Sequence, residues 1–382
     1  MEICGIICEY NPYHNGHAYQ IQKAKECSNA DMILCVMSGN FVQRGEAAVL
    51  EKHKRAKHAL MAGADVVVEL PTAFATSNAE LFASGAIKLL SSIPAVKTLC
   101  FGAENADTDA LINAAKLLND EPREISETIQ HLSSQGISYA KARAEAWSKI
   151  LEKDLLVSPN NILGVEYTKA ILKQNANIKI LPIQRVGGGY SDTCFHEEYS
   201  SASAIRLGIK NNVSLVGRLP DYVSQDLPDR LENSLEILEK YALLSTNTTK
   251  IKEVCDCTEG LENALKRVAK TDAPLIESLT SARYTASRLR RITLQNLLKI
   301  TEKQIRECLS TDLYLRILGI KKEKSDEILS ILSQSSFPLL LRAHDENTLN
   351  DVAKKCLNSD RFAENIYRLL YPNSENTKTV FL

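Results

Sequence analysis

The chain has 382 residues, 44% of them hydrophobic and 24% charged, with a formal net charge of -1 at pH 7. That length leaves room for two or three domains with real cores, and the near-neutral charge excludes an overall basic field, so any nucleic-acid contact has to come from a local patch. The N-terminus lacks a basic start followed by a long apolar stretch, and no run approaches the length of a membrane span, so a cytoplasmic protein without membrane contact is expected.

Four short apolar runs, at 3–8, 32–37, 66–70 and 96–101, alternate with helix-period stretches near 17–29, 50–62 and 78–92. Runs this uniformly apolar suit strands covered on both faces, and the alternation is that of βαβ units building a parallel sheet. From about 105 to 174 the period is helical, and 178–183 supplies a fifth strand before the Gly187-Gly188-Gly189 loop. The stretch 200–210 opens with small hydroxyl residues and turns helical, the pattern of a capped helix N-terminus.

Beyond Pro220 the sequence becomes leucine-rich with a helical period and almost no β-branched runs. The expected architecture is therefore α/β: a doubly wound, Rossmann-like parallel-sheet domain over 1–225, then an all-helical domain over 226–382 with a dispensable polar tail around 373–378. The ten cysteines show no repeated C-x-x-C spacing and read as buried free thiols in a reducing compartment. Cys255 and Cys257 are one residue apart with no histidine nearby, so no structural metal is expected there.

The chemistry concentrates after the first strand, where Asn11-Pro12 makes a turn and His14-Asn15-Gly16-His17 opens a helix. A helix N-terminus offers unpaired N–H groups and a positive dipole end, and Gly16 permits close approach of a nucleotide. Imidazole N–H donors from His14 and His17, three residues apart, can stabilise charge that grows on an α-phosphate as pyrophosphate leaves. Two histidines in a polar surface loop are the bland alternative, which the position after strand one disfavours.

An H-x-G-H motif in this position resembles the nucleotidyltransferase superfamily that includes class I aminoacyl-tRNA synthetases. A narrower resemblance rests on Glu9-Tyr-Asn-Pro-Tyr-His-Asn-Gly-His17, Met37-Ser-Gly-Asn-Phe-Val-Gln-Arg-Gly-Glu46, Pro159-Asn-Asn-Ile-Leu-Gly-Val-Glu-Tyr167, Ser201-Ala-Ser-Ala-Ile-Arg206 and the arginine-rich run 283–291. Together these resemble the tRNA(Met) cytidine acetate ligase family over essentially the whole chain. The resemblance implies ATP-dependent activation of acetate as acetyl-adenylate and acetyl transfer to N4 of the wobble cytidine of elongator tRNA(Met). It further implies ATP contacts from the loop Ile7, Cys8, Glu9, Tyr10, Asn11, Pro12, Tyr13, His14, Asn15, Gly16, His17, Ala18, Tyr19 and Gln20, with Gly102, Arg185 and one of Asn160 and Asn161, here taken as Asn161.

Each of these positions also has a plain structural reading: Gly102 as a turn glycine, Asn161 as a helix cap, Arg185 as a strand-end charge. Ser201, Ser203 and Arg206 resemble a second phosphate motif, and Arg44 and Lys52 are candidates for closing over phosphate or acetate, against a solvated basic helix face that also takes in Lys54, Arg55 and Lys57. Magnesium is expected only as the usual companion of ATP. RNA contact is expected at 279–299, read as one helix, through Arg283, Tyr284, Arg288, Arg290 and Arg291, since arginine binds phosphate bidentately and tyrosine stacks on an unpaired base. Two rivals remain: a small-molecule adenylyltransferase or cytidylyltransferase using the same motif, and a non-catalytic RNA-binding factor on the same fold.

Overall fold

The structure, a computed structural model, describes residues 1–148, 150–151, 153–186, 200–228, 234–341, 343–372, 374 and 379–382. The triple-glycine loop at 187–189, Cys194 and most of the polar tail lie outside the described residues.

Among the described residues ten strands run β1 (Ile3–Cys8), β2 (Met32–Ser38), β3 (Phe41–Val42), β4 (Glu46–Ala47), β5 (Val66–Leu70), β6 (Val96–Ala103), β7 (Lys179–Gln184), β8 (Leu315–Ile320), β9 (Leu339–Leu340) and β10 (Val380–Phe381). The main sheet is ordered β10-β8-β5-β2-β1-β6-β7, with β9 paired to β8. From β5 to β7 every neighbour is parallel, as the alternating sequence predicts. Chain order reverses between β1 and β6, so the carboxyl ends of those strands open on the crevice where such sheets bind ligands.

Successive residues of the central strands feed opposite faces. Ile7, Leu34, Val36, Val68, Leu99 and Phe101 pack under the helices Ala79–Ser91, Pro159–Lys173 and Asp351–Leu370. Cys4, Ile6, Cys8, Cys35, Val67 and Cys100 pack on the other side against Asn15–Ser28, Lys52–Met61 and Ala202–Lys210. The buried cysteines thus serve as small core side chains.

The segment after 226 departs from the all-helical expectation. It is helical over most of its length and has a core of its own, including Leu243, Leu261, Leu265, Leu289 and Ile292. It also supplies β8, which joins the main sheet antiparallel to β5, and β10 parallel to β8. Leu-Arg-Ile-Leu-Gly-Ile is too short for periodicity to separate a buried strand from a buried helix segment. The β3-β4 hairpin, two residues a side, was likewise invisible to strand-length reasoning.

Candidate active site

The helix Asn15–Ser28 begins with a reciprocal cap built from the two motif histidines. His14 is the N-cap: its Nδ1 accepts the Gly16 N–H at 3.1 Å, and Nδ1 of His17 accepts the His14 N–H at 3.3 Å. With both Nδ1 atoms accepting, each neutral ring carries its proton on Nε2. The rings stack with centroids 3.7 Å apart, which two imidazolium ions would resist. Burial, then the nearby charges of Arg185 and Arg206, holds His14 down to about 3; burial, then His14 and Arg185, holds His17 well below its ordinary value. Two neutral N–H donors therefore stand in a pocket already made electropositive by arginine.

A cavity opens there, bordered by Ile7, Cys8, Glu9, Tyr10, Asn11, His14, His17 and Gln20 from the first loop and helix, and by Gly102, Arg185, Ser201, Ser203 and Arg206. A smaller adjoining space adds Gly16 and Tyr19. The Ser201 hydroxyl accepts the Ala204 N–H at 3.0 Å and caps the helix Ala202–Lys210, as its sequence predicted. Arg206 reaches back from that helix to donate to the Asn11 carbonyl at 2.7 Å, tying the start of the helix to the first loop. At Gly102 an added Cβ would lie 3.3 Å from Cγ of Arg185, so the glycine makes room for the arginine stem.

Arg44 reaches the cavity on the turn between β3 and β4. That turn is anchored by the Gln43 N–H, which donates to Glu9 Oε1 at 2.8 Å. Beneath it, fully buried Arg55 donates to the carbonyls of Glu9, Ser38, Gly39 and Leu50, fixing the ends of β1 and β2 together. Burial raises the Glu9 carboxyl, against the pull of the Gln43 N–H and of Arg206 and Arg44.

Several expected positions do not border the cavity. Lys52 is buried in an ion-pair cluster with Glu69 and Glu364, whose other partner is Arg316. Neither the acetate role nor the solvated-face alternative fits it, nor does a solvated face fit Arg55; Lys54 and Lys57 are the exposed charges of that helix. Asn161 is fully buried and accepts the Asn105 N–H at 3.1 Å, while its neighbour Asn160 borders the cavity; the N-cap of their helix is Ser158. Tyr13 is buried edge-on to Tyr10, Asn15 donates to the Gly217 carbonyl, Ala18 packs on the core, and Pro12 follows a cis peptide.

The sequence missed Phe82, Phe101, Leu163 and Tyr167 on the cavity wall. Asn160, Leu163 and Tyr167 are spaced by three and four, one helical face, but nothing in the sequence says which face looks into a site. The basic run was misjudged in outline: the helix is Ala286–Leu298 with Thr285 as cap, so Arg283 and Tyr284 precede it. Arg283 pairs with Glu259, Arg288 donates to the Asp256 carbonyl, Arg291 lies against Asp256 and is largely buried, and Arg290 donates to Glu46. The guanidiniums of Arg283 and Arg288 lie 5.9 and 5.4 Å from the Tyr284 ring centre.

The HIGH Nucleotidyl Transferase family profile matches residues 1–380. Among curated proteins, the tRNA(Met) cytidine acetate ligase of Thermoanaerobacter sp. (strain X514) is 38% identical, with 98% of this chain and 96% of that protein covered. The chain belongs to the tRNA(Met) cytidine acetate ligase family.

The ligase of the same name from Clostridium novyi (strain NT) is 37% identical over 93% of this chain and 92% of its own. Among solved structures, apo Thermotoga maritima TmcAL superposes with a TM-score of 0.91 at 28% identity, covering all of both chains. The same protein bound with alpha-thio ATP superposes with a TM-score of 0.87 at 29% identity, covering 98% of this chain and 95% of the other. The likeness covers the whole chain, its late strands and helices included. The α/β nucleotidyltransferase architecture expected from the sequence is the architecture of this family member.

Proposed function

We propose that the chain is an ATP-dependent ligase that activates acetate as acetyl-adenylate and transfers the acetyl group to N4 of the wobble cytidine of elongator tRNA(Met), forming N4-acetylcytidine. The observation that carries this reading is the neutral, stacked His14–His17 pair at the switch point of the sheet, in a chain that aligns end to end with ligases of that name.

In the first step an acetate oxygen attacks the α-phosphorus and pyrophosphate leaves. Acetate is already ionised, so alignment rather than a general base is needed. The Nε2–H groups of His14 and His17 donate to phosphate oxygens and gain strength as negative charge builds there. The start of the helix Ala202–Lys210, with Ser201, Ser203 and Arg206, faces the outer phosphates, and Arg185 completes the positive rim.

Magnesium arriving with ATP would neutralise phosphate charge. In the second step the cytosine amine forms the new C–N bond, the C–O bond to the adenylate breaks, AMP leaves with that electron pair and the amine proton is released.

Arg283, Tyr284, Arg288 and Arg290 are the proposed RNA contacts, and 226–382 the part of the chain that carries them. Arg291, turned inward to Asp256, supports the segment instead. No helix among the described residues is long and apolar enough to cross a membrane, and action on tRNA supports the expected cytoplasmic location.

The test is incubation with ATP, magnesium, labelled acetate and total tRNA, followed by nucleoside mass analysis. Label on cytidine only in the complete mixture is the expected result. Consumption of ATP or CTP with a phosphorylated metabolite and no labelled nucleoside would replace this reading with that of a small-molecule nucleotidyltransferase.

A further inference from the structure

The cavity has two lobes that meet at His14, His17, Gln20, Gly102, Arg185 and Ser201. Reacting groups are joined at that seam, since both imidazoles border both sides. One lobe continues past Gly102 toward Tyr19, Ile183 and Val186, on the face of the sheet that carries the first helix. The other turns to the opposite face and ends on Phe82, Phe101, Leu163 and Tyr167. A nucleotide spread across the seam into the first lobe, with its outer phosphates at Ser203 and Arg206 on the border of the second, leaves the aromatic end of the second lobe to another reactant.

The far wall of the second lobe is rigid. Phe101 and Tyr167 meet edge to face with ring centres 5.7 Å apart. Gly164 lies against Phe101 so closely that an added Cβ would sit 2.5 Å from Cε2 of the ring. An apolar, aromatic end of this kind suits a planar ring.

The polar groups on this lobe select an edge. Asn160 Nδ2 donates to Glu104 Oε1 at 2.6 Å, and because a carboxylate accepts, the amide is fixed with Oδ1 as the atom left for a ligand. Glu9, pinned by the Gln43 N–H, offers a second acceptor, and Arg44 a donor. Two acceptors and a donor on one lobe can serve an exocyclic amine and ring N3 or O2, the groups on the Watson–Crick edge of cytosine; uracil would present a carbonyl oxygen in place of the amine.

The approach also fits. The turn carrying Arg44 continues through Gly45 to Glu46, which accepts from Arg290 of the basic run at 2.9 Å. Two residues of hairpin therefore separate the lobe from the arginines proposed to hold the RNA backbone. Enzymes that act on a base extrude it into such a pocket.

We propose that this lobe is the acceptor site, receiving one cytosine base extruded from single-stranded RNA, with Phe82, Phe101, Leu163 and Tyr167 against the ring and Asn160 and Glu9 on its amine. The proposal rests on the ligase reading above, and the test separates the two. Half-buried Leu163 is replaced by tryptophan to fill the lobe, with L163F as a smaller obstruction should L163W fail to fold. Acetate-dependent exchange of pyrophosphate into ATP reads the first step, and acetylation of tRNA at saturating ATP and acetate reads the second.

Loss of the ring-stacking site should slow acetylation at least about tenfold more than it slows exchange. Equal loss of both steps would put acetate or nucleotide in the lobe and overturn the proposal, as would acetylation that persists with the lobe filled. Absence of acetate-dependent exchange in the wild-type protein would instead bring down the ligase reading itself.

Discussion

Arg290 Nη1 donates to Oε1 of Glu46 at 2.9 Å, and the other oxygen of that carboxylate lies 3.9 Å from Nε of Arg206. One acidic side chain thus stands between an arginine of the nucleotide cavity and an arginine of the basic run. The approach is close because Gly45, at φ +76°, lets the hairpin lie on the helix backbone; an added Cβ would sit 2.5 Å from the Arg290 carbonyl carbon.

Removing the Glu46 charge leaves Arg206 more fully available to a polyphosphate. E46Q should lower the KM for ATP in pyrophosphate exchange by up to about fivefold, the range of a part-exposed ion pair. An unchanged or raised KM would mean that the Arg206 charge does not reach the phosphates.

In the proposed role of His14 and His17 as donors to charge that develops in the transition state, H14A or H17A should lower kcat for exchange by about 100- to 1,000-fold. Steady-state kinetics should show a far smaller change in the KM for ATP. A change confined to KM would make the imidazoles simple binding groups.

The His14 ring, held down to about 3 mainly by burial, is neutral in the folded chain at pH values where the unfolded chain binds a proton. Its contribution to stability is present above about pH 6.5, the unfolded value, and is lost as pH falls toward 3. H14N keeps an N-cap acceptor without the ring. Thermal melts should show the wild type losing more of its midpoint between pH 7 and pH 5 than H14N loses.

The fully buried Glu239 carboxyl is pushed up to about 8 by burial, although Thr293 Oγ1 donates to it at 2.8 Å. Here the sign is opposite: the folded value exceeds the unfolded one, so the stabilising contribution is present below about 4.5 and is lost as pH rises through 8. E239Q should therefore melt above the wild type at pH 9, with the gap closing by pH 5.

Lys52 neutralises Glu69 and Glu364 in the buried cluster completed by Arg316. K52M leaves buried carboxylates under-compensated and should cost about 3–5 kcal/mol in chemical denaturation. A variant that keeps full stability but loses affinity for acetate would return Lys52 to the cavity.

Much of this protein was written locally. The five parallel strands, the helix that opens at His14-Asn15-Gly16-His17 and the Ser201 cap follow from short-range patterns, because a strand buried on both faces is apolar throughout and a helix start needs a side-chain acceptor. Tertiary structure decided where charges and edges go. Lys52 and Lys54 look alike in sequence, yet one is sealed between Glu69 and Glu364, the latter 312 residues away in the chain, and the other is exposed. Whether Asn160 or Asn161 meets the cavity depends on the rotation of their helix against β6, and whether 315–320 forms a strand depends on the open edge of β5 that it pairs with. Spacing within a segment sets periodicity and caps; which face meets a partner distant in sequence is set by packing, and packing brings the two histidines, Arg44 and the aromatic wall around one cavity.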